Sequence, residues 1–394
     1  MTSPCSVLIV GAGPVGLTAA LCLSRAGVPV RIVDAGDDVD RRMRASTFHP
    51  PTLDMLAELE LAEPLIDLGL RVPRWQLRQH ETKQHLVFDL AAIAADTRHP
   101  YRLQVEQHRY CDLAVEALAR SGVTVEFGKA VSGVEQTSDR TTAALDSGGE
   151  SIEAQWVIGA DGAASPVRKS LGLKYGGMTH THSSVLVSTT FPFHEALEDL
   201  SDVSYCWSRR GPYSLLRLRQ LWRVSLYPGT EDLAVAAEED RVRDWLNYIH
   251  PEAGHAELLD VHPYRVHERC VDQFRVGRVF LAGDAAHLNP PSGGMGMNGG
   301  IHDAVNLTGK LIEVMAGASD SLLDRYQRQR HQIVSGRIIP QASANRARMA
   351  VKDPKRQLAR LDEHRQIAAD GERCREFLLK SSMISGLREA EAIE

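Results

Sequence analysis

The stretch "VLIVGAGPVGLTAALCLSRAGVPVRIVDAG" (Val7–Gly36) decides the fold. Val7 to Val10 read as a short buried strand, a helix follows from Pro14 to Arg25, and Val30 to Val33 read as a second strand ending on Asp34. Between the first strand and the helix, Gly11, Gly13 and Gly16 stand in GxGxxG spacing. Gly11 permits a tight turn, Gly13 lets backbone amides approach a pyrophosphate, and Gly16 lets helix and strand pack closely. The helix amino end adds partial positive charge. Asp34, 18 residues after Gly16, is placed to accept hydrogen bonds from a ribose hydroxyl. Three glycines alone would be weak; strand, turn, helix, strand and acid in register mark a dinucleotide-binding unit.

Working outward, the chain has 394 residues, more than one core usually serves, so two domains are expected. With 43% hydrophobic and 24% charged residues it has a globular composition, and a net charge of -6 supplies no basic face for nucleic acid or an anionic membrane. The six cysteines are scattered without CxxC or finger spacing, which fits reduced thiols in the cytoplasm. "CSVLIV" is apolar but lacks a basic leader, and no apolar run reaches the roughly 20 residues of a membrane span. A soluble cytoplasmic protein, monomer or homodimer, is expected.

Two more glycine-bearing segments follow apolar strands: "WVIGADGAASPVRKSLG" (Trp156–Gly172) and "RVFLAGDAAH" (Arg278–His287), the latter running into "LNPPSGGMGMNGGIHDAVNLTGKL" (Leu288–Leu311). A fold that binds NAD alone has no obvious use for all three. In this order and spacing they resemble the aromatic hydroxylase family of FAD-dependent monooxygenases, related to p-hydroxybenzoate hydroxylase and phenol hydroxylase, over most of residues 5 to 340.

The resemblance implies an α/β fold: a Rossmann-like FAD-binding domain with an inserted, mostly antiparallel β-sheet substrate domain and a helical C-terminal segment. The sequence pattern places the boundaries. From about Gly176 to His267 apolar and polar residues alternate ("SSVLVSTTF", "DVSYCW", "YSLLRLRQ", "WRVSLYP"), as in half-exposed antiparallel strands. "RWQLRQ" and "QHLVFDL" add two strands within 73–98. The FAD-binding domain then comprises 1–72, 99–175 and 268–340, the substrate domain 73–98 and 176–267, and 341–394 the C-terminal helices, expected as a solvated layer closing the FAD-binding domain.

Carried over, the resemblance assigns Gly11, Gly13, Pro14, Val15, Gly16 and Asp34 to the ADP half of FAD. Asp161 of "GADG", with Arg168 nearby, would support the pyrophosphate region. Gly283 and Asp284 of "GDAAH" would hold the ribityl chain. Pro291, Gly294, Gly296, Met297 and Asn298 would lie against the isoalloxazine ring, with a helix from Gly299 to Leu311 aimed at it; such an amino end stabilises negative charge on a reduced flavin. Arg44 would contact the pyrophosphate and Gln107 the flavin. The implied reaction is hydroxylation of an electron-rich aromatic or heteroaromatic small molecule by O2, through a flavin C4a-hydroperoxide, with NADPH or NADH as electron donor. Two alternatives stand beside it: a flavin-dependent reductase or dehydrogenase without oxygen insertion, and a catalytically silent FAD-binding pathway protein.

The substrate-activating group is not legible. His49, Tyr213 and Arg217 are candidates by placement alone, as are His180, His182 and Tyr205, and Ser46 or a neighbour stands where phenol hydroxylases carry a catalytic aspartate. His180 and His182 have no carboxylate or cysteine nearby to complete a ligand set, so no metal is expected. Trp207, Tyr205, Tyr213 and the run "RLRQLWR" (Arg217–Arg223) suit a hydroxylated or amino-substituted ring, with or without an acidic group.

Overall fold

The computed structural model describes residues 5–146 and 148–394. Cys5–Val10 is the middle one of five parallel strands in the spatial order Val125–Glu126, Val30–Val33, Cys5–Val10, Ser151–Gly159, Val279–Leu281. Its run of apolar residues is buried along nearly its whole length, as parallel strands covered on both faces require. The helix Pro14–Arg25 returns across the sheet and packs against both Gln107–Arg120 and Met295–Met315. Strand order reverses between Cys5–Val10 and Ser151–Gly159, and in open α/β sheets the crevice beyond the carboxyl ends at such a reversal is where ligands bind.

The second large sheet has seven strands in the order Leu258–Tyr264, Ser184–Thr189, Trp222–Leu226, Tyr213–Arg217, Val203–Trp207, Arg74–Gln79, His85–Asp89. All pairs are antiparallel except Val203–Trp207 with Arg74–Gln79, which is parallel because the latter arrives from a distant part of the chain. Side chains alternate between faces. Val185, Val187, Leu215, Trp222, Val224 and Leu226 point to the rear, where they bury Val242, Trp245, Leu246 and Ile249 of the amphipathic helix Glu239–Ile249. Two three-stranded sheets carry the chain between the large ones.

The C-terminal helices depart in part from expectation. Ser321–Ile333 continues through a wider π turn, Val334–Ile338, into Ile339–Met349; Pro340 has no N–H to return to the carbonyl of Gly336, and the wider turn absorbs the lost bond. The chain then leaves the parallel sheet and packs on the antiparallel one. Leu361, Leu378, Leu379 and Ile384 are buried in one cluster with Trp75, Phe88 and Trp207. Gln357 is buried, donating to the carbonyl of Ser208 (3.0 Å) and accepting from Gln79 (3.1 Å). The tail thus props the second sheet through a few buried residues, while its last helix, Ile384–Glu391, returns to close on Ser321–Ile333 of the FAD-binding half. All six cysteines are unpaired. No helix among the described residues is long and apolar enough to cross a membrane.

Candidate active site

Each glycine-bearing loop starts where a parallel strand stops, and the strands stop level. The amide of Gly11 donates to Val33 (2.8 Å), that of Ala160 to Val10 (2.8 Å) and that of Ala282 to Gly159 (3.0 Å). The three loops consequently open side by side onto one cavity of about 1720 Å3. Pockets for one drug-sized ligand run to about 1,000 Å3, so this one has room for a dinucleotide and a second small molecule. Gly11, Gly13, Pro14 and Val15 line it. Gly16 lies behind them: a Cβ there would stand 1.9 Å from the carbonyl oxygen of Gly11, so only glycine lets helix and turn touch. A Cβ on Gly13 would meet nothing within 4 Å, which leaves its backbone open to the cavity.

Five carboxylates line this half, and three of them, Asp34, Asp161 and Asp284, stand at the strand ends the sequence pointed to. Asp34 is pinned by the amides of Ala12 (2.6 Å) and Gly36 (2.7 Å). Asp161 accepts from the amide of Val167 through Oδ2 (3.1 Å), while its Oδ1 is buried without a partner. Asp284 is open to the cavity yet walled in by protein, and its carboxylate accepts no hydrogen bond among the described residues; that enclosure raises its pKa. Burial likewise raises Asp161. Arg168 ties the second loop to the third, donating to the carbonyls of Ala163 (2.8 Å) and Ala285 (3.0 Å) and stacking on Tyr175. Arg44 lines the cavity as an exposed side chain paired with Asp40 (3.1 Å). Gln107 also lines it and opens the helix Gln107–Arg120, its amide donating to Ala45 (3.1 Å).

Two long helices begin at the cavity with no side-chain cap, Pro14–Arg25 after Gly13 and Met295–Met315 after Gly294. Their first N–H groups are free to meet an anion or an electron-rich ring edge. The second helix starts four residues before the expected Gly299 because Gly294, at φ 68°, turns the chain directly into it, so Gly296, Met297 and Asn298 are helical. Pro291, Gly294, Gly296 and Met297 line the cavity. Asn298 does not; it donates to the carbonyls of Thr47 (2.8 Å) and Gly294 (2.7 Å) and accepts from the amide of His49 (2.9 Å), locking the loop in place. Gly283 is likewise outside the lining, its amide held by Asp303 (3.0 Å).

The opposite wall is the front face of the antiparallel sheet, carrying Leu186, Tyr205, Ser214, Leu216, Arg223 and Ser225. Alternation turns two candidate side chains to the rear. Tyr213 borders the cavity, but its ring packs with Cys206 in the rear cluster and its hydroxyl meets His80 Nδ1 (2.9 Å). Arg217 lies outside the cavity, paired with Asp202 (3.1 Å). His49 is also behind the wall: Nε2 holds the carbonyl of Gly293 (2.7 Å), and burial pushes its pKa down to about 3. Trp207, expected in the chamber, is buried under the tail and donates to the carbonyl of Arg348 (3.1 Å). Ser46, Tyr205 and His182 do line the cavity. His180 is bonded to Glu268 (2.6 Å), a carboxylate that the local sequence hid because it arrives from the neighbouring strand. Among the described residues no group of three or more metal-binding side chains occurs.

Residues 4–338 match the family described as FAD binding domain. The chain is 31% identical over 394 residues to para-nitrophenol 4-monooxygenase of a Pseudomonas species, covering 98% of this chain and 97% of that protein. It is 32% identical over 352 residues to 6-hydroxy-3-succinoylpyridine 3-monooxygenase of Pseudomonas putida, covering 86% and 87%. The crystal structure of a p-nitrophenol 4-monooxygenase from Pseudomonas putida superposes with a TM-score of 0.91 at 31% identity, over 97% of this chain and 99% of that one. The chain belongs to the FAD-dependent aromatic monooxygenase family. Its relatives are named as monooxygenases, which disfavours the reductase and the silent-protein alternatives.

In this flavin-dependent monooxygenase, several chamber residues escaped sequence reasoning. Arg102 is buried over the ring of Trp75 (4.8 Å) and donates to the hydroxyl of Tyr205 (3.2 Å). Tyr227 and Tyr264 line the chamber from the sheet, and Arg346, Met349 and Phe377 from the tail. For the sheet residues a signal existed: "WRVSLYP", read with period two, puts Arg223, Ser225 and Tyr227 on one face. For the tail residues none did, since only tertiary packing brings those helices over the chamber.

Proposed function

We propose that this monooxygenase hydroxylates an electron-rich aromatic or heteroaromatic ring, with FAD held along the three strand-end loops and NADH or NADPH as the reductant. The observation that carries the reading is the shape of this cavity: one wall of strand ends, open glycine backbone and two uncapped helix starts, the other a sheet face bearing tyrosines and arginines. The first wall fits FAD on its own chemistry. Gly13 would present its open backbone, and the helix that begins at Pro14 its first N–H groups, to a pyrophosphate, and Asp34 would reach toward a ribose. The unpartnered oxygen of Asp161 and the unbonded carboxylate of Asp284 are acceptors for hydroxyl or amide donors. Arg44 and Gln107 would flank the pyrophosphate side, while Pro291, Gly294, Gly296 and Met297 would face the ring. Gly16, Gly283 and Asn298 act from behind, fixing the backbone that makes contact.

When bound, FAD supplies electron transfer from the nicotinamide and activation of O2. The remaining tasks fall to the protein. The antiparallel sheet and the tail roof the chamber and exclude bulk water, which protects a reactive oxygen donor from loss. The helix Met295–Met315 stabilises negative charge at its amino end. Tyr205, held by Arg102, is the hydroxyl best placed among the front-face residues to bond a ring oxygen. Both relatives quoted above carry a ring hydroxyl or phenol in the substrate of their names, which supports a phenol-type ring here. The test is a panel of phenols, aromatic acids and hydroxylated N-heterocycles given to the yellow holoprotein with NADH or NADPH. Substrate-stimulated oxidation with 18O from labelled O2 in the product is expected. Stimulated oxidation without label in any product would return the reductase reading.

A further inference from the structure

The two walls of the cavity differ in charge: the strand-end loops mix carboxylates with Arg42, Arg44 and Lys129, each paired with an acid, whereas the sheet and tail line it with bases alone. Every carboxylate that lines it (Asp34, Asp38, Asp40, Asp161, Asp284) belongs to the strand-end loops. The sheet and tail contribute none, yet they present Arg223 and Arg346, and Arg102 joins them from the short strand Arg102–Gln104 of a neighbouring three-stranded sheet. None of the three forms an ion pair among the described residues, and each leaves a buried N–H without a partner: Nε of Arg223, Nε of Arg102 and Nη1 of Arg346. Arg223 is 6% exposed and Arg102 2%. Acids do act on Arg223 from a distance, Glu106 and Asp260, but neither bonds it; burial pushes its pKa down to about 10, so it stays charged at neutral pH.

Isolated buried guanidinium groups are destabilising unless something supplies the missing acceptors. Packing alone does not explain three of them. Arg223 stands in mid-strand opposite Ser188 and Leu216, a place where an apolar residue would pack as well. Arg346 lies over the ring of Tyr227 (5.5 Å) and Arg102 over Trp75 (4.8 Å), so their planes are fixed while their N–H edges remain free. Tyr264 feels the charge of both Arg223 and Arg346, and Tyr205 joins Arg102 to the same row. Guanidinium edges beside aromatic faces match a planar anion attached to a ring.

We propose that Arg223, Arg346 and Arg102 form an anion-binding wall, and that the ring accepted here carries a carboxylate seated on it. This rests on the hydroxylase reading above and narrows it, from electron-rich rings in general to aromatic acids. Two of the three arginines sit on the sheet and tail, so the wall orients the acid end of the substrate away from the cofactor loops. The same guanidinium chemistry would also suit the phosphates of the nicotinamide donor, and the test separates the two.

Binding is read on the oxidised holoprotein from the change in flavin absorbance, without turnover, using hydroxybenzoates and hydroxyphenylpropanoates against the matching uncharged amides. The acids are expected to bind about tenfold tighter or more, as charge-assisted hydrogen bonds give. Arg223→Gln should remove most of that preference, with amide binding changed far less, and Arg223→Lys should keep part of it. If Arg223→Gln does not retain flavin, Arg346→Gln carries the same test, and an acid preference left intact there overturns the wall. No preference for acids in the native protein, including no binding by either set, also overturns it. So does an Arg223→Gln protein that keeps the preference but needs far more NADH or NADPH for saturation, which would give the guanidinium to the donor. A failure of hydroxylation itself would appear instead as unlabelled product with these binding results unchanged.

Discussion

The two walls of the cavity are built on different plans. The cofactor wall is made of backbone: glycine turns, helix starts and strand ends, each set by fewer than about twenty consecutive residues and docked by the level ending of parallel strands. The chamber wall is made of side chains, gathered from strands at 74–79, 203–207, 213–217 and 222–226 and from tail helices more than a hundred residues further on. Backbone sites tolerate little change because a new Cβ or a lost anchor displaces the chain itself, whereas side-chain sites can be altered one group at a time. The difference predicts where a mutation will be felt: in folding and flavin retention on the first wall, in substrate handling on the second.

The largest effect should come from behind the cofactor wall. Asp303 is fully buried and accepts from Arg330 Nε (2.6 Å), the imidazole of His287 (2.7 Å) and the amide of Gly283 (3.0 Å). Burial alone would raise its pKa, but Arg330 and His287 hold it down at about 2. Asp303→Ala leaves a buried arginine unpaired and should cost about 3–5 kcal/mol of stability. It should also release the turn that presents Asp284. Denaturant unfolding and flavin content after gel filtration check this; native values for both would mean the wall does not depend on its anchor.

Next is Asp284 itself. Asp284→Ala should weaken FAD by roughly 1–3 kcal/mol through loss of an acceptor for buried hydroxyls, while the apoprotein keeps its unfolding midpoint. Titration of the apoprotein with FAD measures it, and unchanged affinity would take this carboxylate out of the cofactor site.

The contrast between the walls also explains what the sequence disclosed. The Val7–Asp34 unit, the helix beginning at Gln107 and the antiparallel strands were readable because each is set by local periodicity and turn chemistry. The convergence of the three glycine loops was readable only through family resemblance. The facing of Tyr213 and Arg217 was not legible because membership of a strand says nothing of face until the neighbours that bury one side are known; Tyr213 still borders the cavity with its ring turned to the rear, while Trp222 and Val224, packed against Trp245, fix Arg223 toward the chamber. The tail was legible only in part: its last helix does close on Ser321–Ile333, but the few residues that dock the rest on the second sheet (Leu361, Leu378, Gln357) meet partners nearly three hundred positions away, which no local pattern announces.

A smaller effect should appear with pH on the cofactor side. Burial pushes His49 and His302 down to about 3. In the unfolded chain an imidazole protonates near 6.5, so below that pH the unfolded state takes up protons that the folded state refuses. Stability is therefore full above pH 6.5 and falls as pH drops toward 3, by about 2 kcal/mol per histidine at pH 5. His302→Gln should unfold with a loss between pH 7 and pH 5 that is smaller by this amount. An identical pH dependence would show that His302 titrates normally.

The smallest effect on stability should come from the chamber wall, at Tyr205. Its hydroxyl lies on the front face, accepts from Arg102 Nη1 (3.2 Å), and is held in place by the edge contact of its ring with Trp75 (5.8 Å). Tyr205→Phe keeps the ring and removes only the oxygen. The lost bond is long, and both groups line the cavity, where solvent can replace the missing oxygen, so unfolding should change by no more than about 1 kcal/mol, and FAD affinity not at all. Turnover should respond, because the group removed is the hydroxyl proposed to meet the ring oxygen of the substrate. A several-fold fall in kcat/KM for a hydroxylated ring, beside an unaltered flavin spectrum and unfolding midpoint, is the expected signature, and it should be larger for phenols than for amino-substituted rings of the same shape. If Tyr205→Phe instead loses flavin while substrate kinetics per bound flavin stay native, the hydroxyl serves the cofactor wall, and the division between a backbone wall and a side-chain wall does not hold at this residue.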